Sequence, residues 1–152
     1  MGALAIAALP VHAQASPALR GPELAAAATT VIARRTFLGP ELGLAARGAG
    51  GGQARLAVTA AAGSYEHVLG VRCEATAQFL LRPGEESGAG PYAGLGLAYV
   101  GAQGVRGASY LTALFGVESA PAARAGWYGE IGLGGGVRLA VGRRFRHFPP
   151  GL

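Results

Sequence analysis

The feature that constrains the fold most is a long alternation of polar and apolar residues over residues 66–82. The polar positions include Arg72, Glu74, Thr76 and Gln78, and the positions between them include Leu69, Val71, Cys73 and Phe79. A period of two places successive side chains on opposite faces of an extended strand and has no helical explanation. The run exceeds the roughly 5–6 residues of a typical soluble strand and fits the roughly 9–11 residues that cross a bilayer at a tilt. The alternation therefore predicts a long strand with two different faces.

The composition supports a protein that presents apolar surface without a membrane-spanning helix. The chain is 51% hydrophobic and 14% charged, whereas ordinary soluble domains are about 25% charged. No run of about 18 apolar residues is available for a spanning helix, and 27 glycines disfavour long helices of any kind. Two architectures remain: an unusually apolar soluble core, or a barrel whose apolar face meets lipid.

The N-terminus has the pattern of a targeting segment. Residues 2–10 are small and apolar, and residues 12–15 end in a small-x-small sequence, as in the core and cleavage site of a secretory signal. The basic residues that usually precede such a core are missing, because the first Arg is Arg20, and a short Ala-rich helix is the alternative. We expect a signal peptide at residues 1–15, a lead-in at 16–23, a β-barrel at 24–148 and a short tail at 149–152.

The rest of the chain repeats the pattern of strand, turn and strand. Further strands are expected at residues 24–34, 36–47, 53–63, 91–101, 105–118 and 127–145. Turn-forming clusters rich in Gly, Pro and Ser separate them at residues 48–52, 83–90, 101–104 and 119–126. This regular spacing predicts an all-β fold, an antiparallel up-and-down transmembrane β-barrel of about eight strands.

The strand count depends on how residues 127–145 are interpreted. A turn at residues 134–136 divides them and gives eight strands, the even number that bacterial barrels prefer. The longer connections at 83–90 and 119–126 then lie on the periplasmic side, where turns are normally short. One uninterrupted strand over 127–145 would correct the loop lengths but leave seven strands. We favour eight.

The residues opposite the apolar face indicate whether the polar face of the barrel lies inside or outside. That face carries mainly Gly, Ala, Ser and Thr with isolated charges, whereas the outside of a soluble barrel would carry many long charged side chains. An eight-stranded interior is only just wide enough for side chains to fill it. We therefore predict that Arg–Glu pairs close the lumen, since unpaired buried charges are costly. The predicted lumen charges are Glu41, Arg72, Glu74, Glu130 and Arg138. The predicted lipid-facing residues are Leu69, Val71, Phe79, Leu95, Leu97, Phe115, Leu139 and Val141.

Aromatic and basic residues near the segment ends lead to two further expectations. Five aromatic residues are expected in the interfacial belts that flank an apolar band: Tyr65, Tyr92, Tyr99, Trp127 and Tyr128. The basic run at residues 143–146 is interpreted as a strand end that meets headgroups or water. A phosphate-binding patch is its alternative.

The C-terminal strand carries a more specific pattern. Residues 136–145 alternate apolar residues, Val137, Leu139 and Val141, and close on the aromatic Phe145. In this the chain resembles the small outer-membrane β-barrel families, meaning OmpX-like, OmpA-transmembrane-like and opacity-type proteins. The resemblance implies that these four residues form an assembly signal read by the barrel-assembly machinery. Two departures are Arg143, where an aromatic is common, and the extension of the chain beyond Phe145.

No enzyme chemistry is predicted from the sequence. His67 with Ser64 and Glu66 is the one local acid–base combination, and alternation places Glu66 and His67 on opposite faces, which is poor geometry for a triad. No metal-ligand spacing or phosphate-binding glycine loop is found, so no cofactor and no nucleic-acid partner are expected. Outer-membrane lipids are the expected partners, and the oligomeric state stays open. We expect an outer-membrane barrel with a closed lumen and a structural, adhesive or membrane-integrity role. A narrow porin-like channel and a soluble periplasmic lipocalin-like calyx for an apolar ligand are the alternatives.

Overall fold

Eight β-strands follow one another in a computed structural model that describes residues 19–148. The predicted signal peptide and the C-terminal tail at 149–152 lie outside the described residues. The strands are β1 (Gly21–Ile32), β2 (Phe37–Arg47), β3 (Ala54–Tyr65), β4 (Val68–Leu80), β5 (Ala89–Ala102), β6 (Val105–Ser119), β7 (Ala125–Leu133) and β8 (Val137–Arg146). One short helix, α1 (Ala49–Gly52), lies between β2 and β3. No helix within 19–148 is long and apolar enough to cross a membrane.

Each strand pairs antiparallel with its neighbour in sequence, and β1 closes the sheet by pairing with β8. Thr29 of β1 faces Gly39 of β2 on one side and Ala140 of β8 on the other. The Ala run at residues 25–28 belongs to β1 and is paired with β2 on one side and with β8 on the other. The predicted antiparallel up-and-down barrel is confirmed.

The turns settle the strand count and shift two boundaries. Gly134, Gly135 and Gly136 all have positive φ, at 158°, 75° and 142°, which favours glycine. They form the turn that separates β7 from β8, so the eight-stranded alternative is correct. Glu66 and His67 also have positive φ, at 52° and 125°, and form the β3–β4 turn. The strand expected over residues 66–82 is therefore shorter, and β1 begins three residues before the predicted position 24.

The two ends of the barrel differ in the length of their connections. The end where β1 begins and β8 ends, here called the terminal end, carries the connections at residues 48–53, 81–88 and 120–124. The opposite end, here called the hairpin end, carries the shorter ones at 33–36, 66–67, 103–104 and 134–136. The longer connections thus lie on the side of the barrel where β1 begins and β8 ends, as the eight-strand interpretation requires.

Burial alternates along the strands, except in the first half of β6, and divides the barrel into an apolar outer wall and a charged interior. On the outer wall, Leu95 is 70% exposed and Leu111 is 83% exposed. In the interior, Arg55 is 1% exposed and Arg72 is 2% exposed. This is the reverse of a water-soluble protein, in which charged side chains face outward.

Candidate functional site

Eleven charged side chains fill the interior in two layers. The layer near the terminal end, here called the terminal layer, consists of Glu23, Arg47, Arg55, Glu118, Arg144 and Arg146. The layer further along the axis, here called the central layer, consists of Glu41, Arg72, Glu74, Glu130 and Arg138. Period-two alternation places all of them on the inward face of their strands.

Two carboxylates organise the terminal layer. Glu118 is fully buried and contacts all four guanidiniums, with N–O distances of 3.3 Å to Arg47, 3.0 Å to Arg55, 2.5 Å to Arg144 and 3.0 Å to Arg146. Glu23 binds the same groups from the other side, most closely Arg47 at 2.7 Å. Charge-assisted contacts of this kind are among the stronger hydrogen bonds in proteins. The six side chains form one connected network rather than separate pairs.

The terminal layer has four guanidiniums and two carboxylates. Aromatic rings and backbone carbonyls provide further contacts for the excess of guanidiniums. Arg144 lies over the ring of Tyr128 at 4.4 Å, and Arg55 lies over the ring of Tyr92 at 4.6 Å. Ring faces attract cations because of their negative quadrupole. Arg47 donates to the Pro121 carbonyl at 3.0 Å and Arg146 to the Ala123 carbonyl at 3.0 Å. These last two contacts fasten the 120–124 connection across the terminal end.

Arg138 joins two carboxylates in the central layer. It contacts Glu41 at 2.6 Å and Glu130 at 2.7 Å. Arg72 contacts Glu74 at 2.8 Å and donates to the Gly134 carbonyl at 2.9 Å. This second contact ties the network to the β7–β8 turn.

Glu130 connects the two layers. The Tyr92 hydroxyl donates to Glu130 at 2.6 Å, and Arg144 reaches the same carboxylate at 3.5 Å. One network of hydrogen bonds and ion pairs therefore runs along the interior.

An apolar cluster lies beyond the central layer, toward the hairpin end. Val31, Phe37 and Ala61 are buried there, with Tyr65 packed against them. The rings of Phe37 and Tyr65 are 5.0 Å apart between centroids, a favourable distance for an aromatic pair. This cluster separates the charged network from the mouth at the hairpin end.

The charged side chains of the interior are shielded from solvent. The ion-paired side chains in both layers are no more than 5% exposed. Each of them also has a partner of opposite charge within 4.0 Å. Chemically, the arrangement cross-links the strands from inside through ion pairs.

All five charges that the sequence predicted for the lumen lie in the central layer, and the terminal layer was missed. Glu23 was assigned to the lead-in, because β1 was expected to begin at residue 24. The 143–146 run was interpreted as a strand end in headgroups or water, but Arg144 and Arg146 point inward and are buried. Arg144 and Arg146 alternate with the outward-facing Phe145 on β8. This alternation in the sequence could have predicted that both side chains point inward.

Burial contradicts part of the expected aromatic belt, and Tyr65 packs against the buried cluster of Val31, Phe37 and Ala61. Tyr92 is 0% exposed and Tyr128 is 4% exposed, so their prediction as interfacial residues is wrong. Gly116, on the paired strand β6, leaves room for the ring of Tyr92, because a Cβ there would overlap it. Trp127 and Tyr99 do lie exposed on the outer wall.

The residues predicted to face lipid are all exposed on the outer wall: Leu69, Val71, Phe79, Leu95, Leu97, Phe115, Leu139 and Val141. Val137 and Phe145, expected in the assembly signal, are exposed on the same face of β8. Arg143 also points outward, and its guanidinium lies over the rings of Trp127 at 5.8 Å and Phe145 at 5.6 Å. Arg143 therefore stands where an aromatic residue is common in the C-terminal strand, and its guanidinium stacks on two neighbouring aromatic rings.

Comparison with known proteins gives structural neighbours only. No protein-family profile and no curated protein sequence matches the chain. The N-terminal β-barrel domain of Pseudomonas aeruginosa OprF is similar in structure, with 15% identity, coverage of 86% of this chain and 99% of that domain, and a TM-score of 0.65. Neisserial surface protein A (NspA) is also similar, with 17% identity, coverage of 84% and 97%, and a TM-score of 0.59. The chain therefore has the closed eight-stranded fold of these small outer-membrane β-barrels.

Proposed function

We propose that the protein is an outer-membrane barrel with a closed lumen and a structural or membrane-integrity role, rather than a transport role. The observation that carries this proposal is the distribution of polarity. The outer wall is apolar around the whole barrel, while the interior holds a buried and connected ion-pair network. Closed barrels satisfy every backbone hydrogen bond of the sheet, which a bilayer requires.

The same distribution argues against a soluble calyx. A calyx for an apolar ligand would have an apolar cavity and a charged outer surface, and here both are reversed. Leu42, Leu56 and Leu97 are all exposed on the outside, whereas the space inside is filled by guanidiniums and carboxylates. A contiguous apolar surface of this size marks contact with a membrane or another protein.

Fractionation together with gel mobility tests the proposed location and fold. We expect the mature protein in the outer-membrane fraction, with a different mobility when the sample is left unboiled, because a closed barrel resists detergent at room temperature. Recovery in the soluble periplasmic fraction, with the same mobility before and after boiling, would contradict the proposal.

Conductance in planar bilayers tests the closed lumen. We expect no steady current from the purified protein, because the buried network leaves no hydrated path through the charged layers. An open porin inserted under the same conditions provides the positive control. A reproducible steady current that scales with the number of insertions would support the channel alternative instead.

A further inference from the structure

A cleft opens at the hairpin end, between the β1–β2 turn and the β5–β6 hairpin. Its volume is about 400 Å³, within the range of roughly 300–1,000 Å³ typical of small-molecule sites. Arg34, Arg35 and Arg106 line it together with apolar and aromatic residues such as Val100 and Tyr110. The cleft is therefore amphiphilic, with three guanidiniums beside an apolar surface.

The three guanidiniums of the cleft differ from those of the interior. Each interior Arg lies within 4.0 Å of a carboxylate. Across residues 19–148, Arg34, Arg35 and Arg106 take part in no ion pair, and no Glu lines the cleft. All three side chains are exposed. The cleft thus concentrates positive charge that the described part of the protein does not neutralise.

Beside this cleft, β6 extends beyond the end of its pairing with β7. On one side β6 pairs with β5 along nearly its whole length, between Val105 and Ser119. On the other side it pairs with β7 only from Ala113 to Glu118. Residues 105–112 of β6 therefore have no β7 partner, and the Gly134–Gly136 turn is the part of the β7–β8 hairpin that lies next to this stretch.

An apolar groove continues from the cleft down the outer wall. The groove has a volume of about 790 Å³ and is lined by residues that include Leu95, Leu111 and Leu133. Gly135 lines both the cleft and the groove. A molecule could therefore place a polar head in the cleft and an apolar chain against the outer wall without crossing the closed interior.

We propose that this cleft binds a membrane lipid through a headgroup phosphate, with one chain of that lipid lying in the outer groove. The phosphate would meet Arg34, Arg35 and Arg106, since the planar fork of a guanidinium matches phosphate oxygens. The chain would pass beside Gly135, where β6 has no β7 partner. A lipid is favoured over a free phosphate because apolar surface continues from the charged site. The inference goes beyond the closed-barrel role, because the site is separate from the lumen.

Native mass spectrometry tests the proposal on the intact protein in a zwitterionic detergent. The probes are phosphatidylglycerol and phosphatidylcholine with identical chains, supplied in equal amounts, and glycerol 3-phosphate as a competitor without a chain. We expect phosphatidylglycerol to be retained about tenfold more than phosphatidylcholine, because the three guanidiniums favour a net anionic headgroup. Glycerol 3-phosphate at the same concentration should not displace it.

Matched triple variants locate the site. The variant R34Q/R35Q/R106Q should lose the preference for phosphatidylglycerol. The control R20Q/R82Q/R124Q removes three exposed Arg residues near the terminal end and should keep it. Both variants should show the mobility shift of a folded barrel, since none of the six side chains is buried.

Three results would overturn the inference. Equal retention of the two lipids by the wild type would show that the headgroup charge is not recognised. Equal loss in both triple variants would show that net charge alone attracts the lipid. Displacement by equimolar glycerol 3-phosphate would show that the site recognises a phosphate without its chain.

Discussion

Neutralising Glu118 is the sharpest perturbation of the buried network. The terminal layer holds two carboxylates and four guanidiniums, a net charge of +2, and the substitution Glu118→Gln raises it to +3. Gln keeps the shape of the side chain and one acceptor oxygen, so little volume changes. Glu23 is then the one carboxylate left within the layer for four guanidiniums, although Arg144 keeps its contact with Glu130 at 3.5 Å.

The expected effect follows from the cost of leaving buried charges unpaired. Removing one partner of a buried ion pair typically costs about 3–5 kcal/mol. Because Gln still accepts a hydrogen bond, we expect the lower end, a loss of about 3 kcal/mol in the free energy of unfolding, or about a hundredfold in the folding equilibrium. Removing one of the crowded cations as well should recover part of this loss. The double variant E118Q/R55Q should therefore be more stable than the sum of its single variants predicts, by about 1 kcal/mol or more.

The measurement is urea-induced unfolding of the protein refolded into phospholipid vesicles. Trp127, the one Trp of the chain, lies on the outer wall and reports the transition by fluorescence. Glu86→Gln is the matched control, since Glu86 is exposed, and it should change stability by no more than about 0.5 kcal/mol. A Glu118→Gln protein within about 1 kcal/mol of the wild type would refute the argument that removing a carboxylate from the buried guanidiniums is costly.

Two further perturbations test the wall and the packing of the interior. Leu97→Arg, in the middle of β5 on the outer wall, should lower the free energy of unfolding in vesicles by about 2–4 kcal/mol. Its control, Val105→Arg next to the β5–β6 turn, should lower it by about 0–1 kcal/mol. Equal losses in the same urea titration would contradict the assignment of the apolar band. Gly116→Ala should destabilise the protein by about 1–3 kcal/mol because its Cβ would overlap the ring of buried Tyr92. Gly48→Ala, which meets open space, is the matched control, and similar midpoints for both variants would show that the ring has room to move.

The sequence predicted the fold well because the barrel follows a single rule. Alternation with a period of two determines which face of every strand is apolar, and the glycine-rich turns mark where strands end. The 134–136 turn was favoured because it gives an even number of strands, and its three glycines tolerate the positive φ angles that the turn requires. Boundaries were less certain where a polar residue fits both a strand and a turn, as Glu66 does.

The interior was predicted in outline but not in its extent. Alternation alone shows that Arg138 and Glu130 point inward, but not that they meet, because their contact depends on the register of β7 against β8. Glu23 was missed because a strand end carries little local signal, and its inward role appears only when β1 closes against β8. Tyr92 was misplaced for a related reason: an aromatic near a strand end fits both an interfacial belt and the interior, and parity within the strand decides between them.

Cys73 offers a direct test of whether the apolar outer wall lies in lipid. It is the sole cysteine of the chain, and it is exposed on the outer wall in the middle of β4. A bimane fluorophore attached there, in protein refolded into vesicles, reports its surroundings by quenching. We expect strong quenching by lipids that carry a doxyl group on the acyl chain, and little quenching by aqueous iodide. Strong quenching by iodide with none from doxyl lipids would contradict it.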